Sequence, residues 1–164
     1  MARLTNMLLV AAALAATTTG CAKKHPAELP PVAGPAEPTG PSIRPGSRAD
    51  FERSVLSNTV HFALDRYDID AESQRILDSQ VTWLRQWPNV PISLEGHCDE
   101  RGTREYNLAL GDRRANAAKN YLAARGVNPG RISTISYGKE RPLALGSDEA
   151  SWAQNRRAVT IVLN

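Results

Sequence analysis

The rhythm of apolar and polar positions changes several times along this chain, and each rhythm predicts a different element. Residues 58–64 alternate, with Val60, Phe62 and Leu64 on one face, the two-residue period of a strand. Over residues 70–87 the period lengthens. Leu77, Val81 and Leu84 recur at helical spacing with Ile76 and Gln80 beside them, and Asp70 is a good N-cap for that helix. Pro88 and Asn89 end it. Residues 91–97 alternate again, Ile92, Leu94 and Gly96 against Ser93, Glu95 and His97. A second helix is predicted over 103–125, with Leu108, Ala115, Ala118 and Leu122 as its inward stripe and Gly126 just past its end. Residues 131–137 read as a third strand, 148–154 as a short helix and 158–163 as a closing apolar strand. The pattern predicts an α+β domain in β-α-β-α-β-β order, a mixed four-stranded sheet with helices packed on one face.

Two stretches fit neither period. Residues 7–16 form a short apolar run behind Arg3, too short to span a bilayer and suited to a secretory signal that is later removed. Small residues then lead to Gly20-Cys21, which resembles a bacterial lipobox; by that resemblance Cys21 is the lipidated first residue of the mature protein, and Ala22 after it directs the protein to the outer membrane. Residues 22–46 hold seven prolines (26, 30, 31, 35, 38, 41 and 45) and no apolar period. Such a segment is an extended tether, and about 25 residues at about 3.1 Å each reach roughly 80 Å. The expected organisation is a signal peptide over 1–20, a lipidated tether over 21–47 and one folded domain over 48–164.

Charge alters this picture little. Twenty basic and 17 acidic residues leave a net charge of +3 over 164 residues. They interleave in the folded part without basic runs or aromatic–basic alternation, so nucleic acid is not an expected partner. Of the two cysteines, Cys21 is assigned to lipid, which leaves Cys98 without a disulfide partner. His97 and Cys98 are adjacent on a strand and point to opposite faces, a poor catalytic dyad. We read Cys98 as a small buried residue and His97 as a hydrogen-bonded edge residue. With His61 they follow no zinc spacing, so neither a metal nor a cofactor is expected. Trp83 and Trp87 at helical spacing read as packing residues rather than a sugar platform.

Candidate chemistry concentrates in residues 95–120, where Asp99 closes a strand, Gly102 turns the chain and Arg114 lies in the next helix. Taken alone, Asp99 and Arg114 are an ordinary surface ion pair worth about 0–1 kcal/mol. Their setting changes the reading. Glu-Gly-His-Cys-Asp-Glu-Arg-Gly-Thr from Glu95, Tyr-Asn-Leu-Ala-Leu-Gly-Asp-Arg-Arg-Ala-Asn from Tyr106, Ser-Tyr-Gly-Lys-Glu-Arg-Pro from Ser136, Asn-Arg-Arg-Ala from Asn155 and Asp-Arg-Tyr-Asp-Ile from Asp65 occur in order. Together they closely resemble the OmpA-like peptidoglycan-binding domain family over about residues 55–164.

That resemblance implies a ligand, the meso-diaminopimelate of the peptidoglycan stem peptide, whose free end carries an ammonium and a carboxylate on one carbon. It implies that Asp99 takes the ammonium and Arg114 the carboxylate, a task for which the planar guanidinium fork suits Arg. It places Asp65, Tyr67, Asn107 and Leu110 in the same groove, and it puts Leu64 where relatives usually carry Phe. Of Arg156 and Arg157, one is expected to brace main-chain carbonyls and the other to reach the ligand. For a lipidated member of the family the resemblance further implies TolB and other Tol-system proteins as partners, tethering of the outer membrane to the wall, and a part in division. The alternative is a wall-modifying amidase or hydrolase, but no metal triad or nucleophile–base–orienter set stands at convincing spacing.

Overall fold

The computed structural model describes residues 43–163. The expected signal peptide, the expected lipidation site Cys21 and the expected tether up to residue 42 lie outside them. Helix α1 (Arg48–Ser54) leads into strand β1 (Thr59–His61), followed by α2 (Ala71–Gln86), β2 (Ile92–His97), α3 (Arg104–Ala124), β3 (Ile132–Gly138), α4 (Glu149–Asn155) and β4 (Arg157–Val162). Local chemistry sets most of these bounds. The side chains of Asp70, Thr103 and Asp148 accept the backbone N–H of Ser73, Tyr106 and Ser151 and so start α2, α3 and α4. Gly126 ends α3 with φ +88°, a left-handed conformation that costs a residue without Cβ little.

The sheet runs β1-β4-β2-β3. β2 and β3 are parallel across the α3 crossover, whereas β4 lies antiparallel to both β1 and β2. Facing rows of Val60 and Ala158, Leu94 and Thr160, and Ile92 and Val162 are all buried beneath the helices. On the opposite face Ser93, Glu95, Val159 and Ile161 are only half-buried. α2 contributes Leu77, Val81 and Leu84 to the core, each worth about 1.5–3 kcal/mol when removed from water. Gln80 is also fully buried. Its amide donates to the Ser57 carbonyl at 2.8 Å and accepts from the Thr160 hydroxyl at 2.7 Å, which satisfies it inside the core.

The structure corrects several expectations. α1 was not predicted; its seven residues bury one side chain, Phe51, which meets Trp83 edge-on with ring centroids 5.0 Å apart. Trp83 is buried and Trp87 packs against the same cluster, so both are packing residues. The first strand is shorter than 58–64. Val60 and Phe62 point inward as predicted, but the chain then leaves the sheet, Asp65 adopts φ +56° and Leu64 is exposed. His97 is not an edge residue, because insertion of β4 makes β2 an interior strand. It is 3% exposed, lies 5.5 Å from the Tyr137 ring, and its Nδ1 has no hydrogen-bond partner. Burial, aided by the nearby Arg157 and Arg141 charges, holds its pKa down at about 4.

The inward face of α3 is rotated from the predicted stripe. Leu108 is only half-buried, and the buried positions are Asn107, Leu110, Gly111, Arg114, Ala115, Ala118 and Leu122. Gly96 and Gly111 set this rotation by bringing the backbones of β2 and α3 into contact. A Cβ at Gly96 would stand 1.8 Å from the Gly111 carbonyl oxygen. The close approach aims Asn107, Leu110 and Arg114 at the C-terminal end of β2.

Candidate functional site

At that end of the sheet three stretches converge: the segment after β1, the loop between β2 and α3, and the start of β4. They enclose a cleft of about 330 Å³. Its β2–α3 loop is held from several sides. The Cys98 amide donates to the Gly138 carbonyl at 2.8 Å, and its buried thiol donates to the Asn107 carbonyl at 3.3 Å. The Asn107 amide donates to the carbonyls of Arg101 and Thr103, and Lys139 Nζ donates to those of Glu100 and Gly102. Gly102 permits the turn with φ +83°. These bonds fix Asp99 at the back of the cleft, 5% exposed.

Asp99 is fully engaged. Its Oδ1 accepts from the Arg101 backbone N–H at 3.1 Å and from Arg101 Nε at 3.2 Å. Its Oδ2 accepts from Arg101 Nη2 at 2.5 Å and Arg156 Nη1 at 3.4 Å. Burial alone would raise its pKa, but the bonds from the Arg101 side chain and backbone outweigh it and hold the carboxyl below its ordinary value.

Arg114 has a different environment. It is fully buried, and its guanidinium donates to three main-chain carbonyls: Nε to Arg66 at 2.9 Å, Nη1 to His97 at 2.8 Å and Nη2 to Ala63 at 3.1 Å. Among the described residues no carboxylate comes within ion-pair distance of it. It therefore ties the segment after β1 to the end of β2 while keeping its charge at the cleft floor. Three guanidinium groups (Arg101, Arg114 and Arg156) face two carboxylates (Asp65 and Asp99) across the cleft, with Glu149 bonded to Arg156 at 2.6 Å.

Of the residues singled out from the sequence, Asp65, Asp99, Asn107, Leu110 and Arg114 line this one cleft. Tyr67 does not. It lies in the neighbouring hollow, 46% exposed, with the Arg113 guanidinium 5.9 Å from its ring centroid. Both arginines brace main-chain carbonyls, Arg157 those of Asn155 and Arg141 and Arg156 that of Phe62, and Arg156 also lines the cleft. Two further cleft residues, Arg101 and Tyr106, were not singled out, although both stood inside the motifs quoted above. The Tyr106 hydroxyl donates to Asp65 at 3.1 Å. Among the described residues no group of three His, Cys, Asp or Glu side chains is placed to hold a metal.

A buried acid and several guanidinium groups meet at the strand end of an α+β sheet, and comparison with known proteins gives the family. The OmpA family model matches residues 61–156, and the chain belongs to that family. Among its relatives is the peptidoglycan-associated lipoprotein of Agrobacterium fabrum, 47% identical over 158 residues that cover 96% of this chain and 88% of that one. The protein of the same name from Pasteurella multocida is 43% identical and covers 97% and 98%. The crystal structure of the peptidoglycan-associated lipoprotein from Burkholderia pseudomallei matches with a TM-score of 0.64 and 44% identity, covering 65% of this chain and 91% of that one. The cell wall anchor of the type VI secretion system from Pseudomonas aeruginosa shares the fold, with a TM-score of 0.59 and 22% identity over 74% of this chain and 100% of that one.

Proposed function

We propose that this chain is an envelope lipoprotein that holds peptidoglycan noncovalently through the meso-diaminopimelate of the stem peptide. One observation carries the reading. In a chain closely similar to peptidoglycan-associated lipoproteins, one cleft holds a buried carboxylate, Asp99, beside guanidinium groups whose charge it does not cancel. A free amino-acid end matches this arrangement. Its ammonium is drawn to Asp99, and its carboxylate to guanidinium N–H groups that no carbonyl uses; three of the five on Arg114 are taken, which leaves two. Tyr106 and Asp65 border the route in, and Tyr67 lies outside the first ring of contacts.

The remaining proposals follow from this layout. Residues 1–20 are a signal peptide, and Cys21 carries lipid that anchors the protein in the outer membrane with the domain in the periplasm. The tether up to residue 47 gives the domain reach. Anchoring raises the effective concentration of the domain at the wall, so a weak and reversible site suffices. Such a link suits a protein that works with TolB and the Tol system while the envelope constricts. The role is binding, without catalysis.

Sedimentation with purified sacculi tests the reading. The wild type should pellet and Asp99→Ala should stay in the supernatant, while no muropeptides are released. Equal pelleting of Asp99→Ala would place the site elsewhere, and released muropeptides would favour the hydrolase alternative.

A further inference from the structure

The cleft already contains an occupant for its carboxylate. A carboxylate offers about four lone-pair positions, and Asp99 accepts four hydrogen bonds, three from Arg101 and one from Arg156. An incoming ammonium reaches Asp99 only by displacing one of these donors. Arg156 is the harder to move: it is 6% exposed and is also held by the Phe62 carbonyl at 3.0 Å and by Glu149. The Arg101 side chain is 34% exposed. Beyond Asp99, its guanidinium rests on the Trp152 ring, 4.1 Å from the centroid. Trp152 is itself anchored, its indole N–H donating to Glu100 at 3.0 Å. Arg101 can therefore turn off Asp99 while its planar group stays supported by an aromatic face.

We infer that Arg101 is a specificity-determining residue that exchanges ion pairs: the ligand's ammonium takes its place on Asp99, and its guanidinium moves to the ligand's carboxylate. This inference rests on the peptidoglycan reading above and names what that site selects. The exchange leaves no charge unpaired when the ligand is a zwitterion. A lysine-type stem peptide offers the ammonium without the neighbouring carboxylate. It must displace Arg101 from Asp99 and gives it no carboxylate in return beyond the more distant Asp65 and Glu149, whereas a diaminopimelate stem supplies one. The more accessible of the three guanidinium groups thus converts an acidic subsite, which by itself accepts any amine, into one that requires both charges on one carbon. This is discrimination by a penalty on the wrong ligand as much as by contact with the right one.

The full chain, purified in mild detergent, is titrated calorimetrically with two tripeptides that differ in one carboxylate: L-alanyl-γ-D-glutamyl-meso-diaminopimelate and its L-lysine counterpart. The wild type should prefer the first by roughly 10- to 100-fold, the value of one charge-assisted guanidinium–carboxylate contact. Arg101→Ala should narrow that preference by at least about threefold, partly through tighter binding of the lysine peptide once the internal competitor is gone, while Arg114 retains the rest. Arg101→Gln keeps the side chain over Trp152 without its charge and should narrow the ratio in the same way. If Arg101→Ala and Arg101→Gln weaken both peptides equally, or leave both unchanged, Arg101 serves the loop alone and the exchange is overturned. A wild type that binds neither peptide overturns the peptidoglycan reading and the exchange with it, whereas a wild type that binds both equally overturns only the exchange.

Discussion

Replacing Arg114 with alanine removes both of its roles, as a positive charge at the cleft floor and as a brace, and replacing it with lysine separates them. The substitution removes three hydrogen bonds and leaves the carbonyls of Ala63, Arg66 and His97 without their donor. The bond to His97 is buried, so that carbonyl carries the full desolvation penalty, while the other two lie where water reaches part of the way. A buried unsatisfied group costs about 1–3 kcal/mol, and breaking a buried charged network typically costs about 3–5 kcal/mol in total. With the void left by a fully buried side chain added, about 3–5 kcal/mol is expected, a large fraction of the roughly 5–15 kcal/mol that stabilises a domain. Urea unfolding at neutral pH reads this directly, and the melting temperature should fall by roughly 10 °C or more. Arg114→Lys restores the charge but not the fork, and it should recover less than half of the loss. Sacculus sedimentation of both variants then belongs well below their melting points, so that lost binding is not mistaken for lost folding. An Arg114→Ala protein within about 1 kcal/mol of wild type would refute the bracing role, and the reasoning from its three carbonyls with it.

Two further outcomes follow from the same geometry. Gly96→Ala drives a methyl group to 1.8 Å from the Gly111 carbonyl oxygen, where backbone must give way, so it should cost at least about 3 kcal/mol by thermal melting and disturb the cleft; a soluble variant with an unchanged melting temperature would dismiss the close approach. His97 is neutral in the fold down to about pH 4 but takes a proton near pH 6.5 when unfolded. Its contribution is complete above pH 6.5 and is lost as the pH falls toward 4, about 3 kcal/mol in all, and Asp99, held below its ordinary value, adds a further loss only at lower pH. Urea midpoints between pH 7.5 and 4.5 should show that slope, and His97→Gln should reduce it, with a remainder from His61, whose pKa burial also lowers; an equal slope in both proteins would move its origin elsewhere.

A cleft whose acid is already neutralised by its own arginines avoids a bare buried charge, which would be costly to hold in a low-dielectric site. Each binding event must then break one ion pair to make another. On the proposed exchange, affinity per contact is modest and binding is reversible. A lipid-anchored domain facing a polymer with many identical stems can use such a site, because repeated local encounters compensate for weak individual ones.

Much of the architecture was legible along the chain because its causes are local. Asp70, Thr103 and Asp148 cap helices through bonds three residues away, and period-two and period-four patterns predicted four strands and two long helices close to where they lie. The motif around Asp99 likewise pointed to the end of the sheet where the cleft lies. What the chain order did not disclose depends on groups far apart in sequence. β4 lies between β1 and β2, so His97 is interior and its Nδ1 has no hydrogen-bond partner. Gly96 and Gly111 rotate α3 so that Asn107 is buried while Leu108 stays half-buried. Arg114 is bound to carbonyls as many as 51 residues away, and Asp99 is neutralised by Arg101 beside it and by Arg156 from the start of β4. Periodicity records which residues avoid water, a preference each side chain carries with it. Which partner satisfies a buried charge is decided by strand order and by backbone approach, and those exist only once the chain has closed on itself.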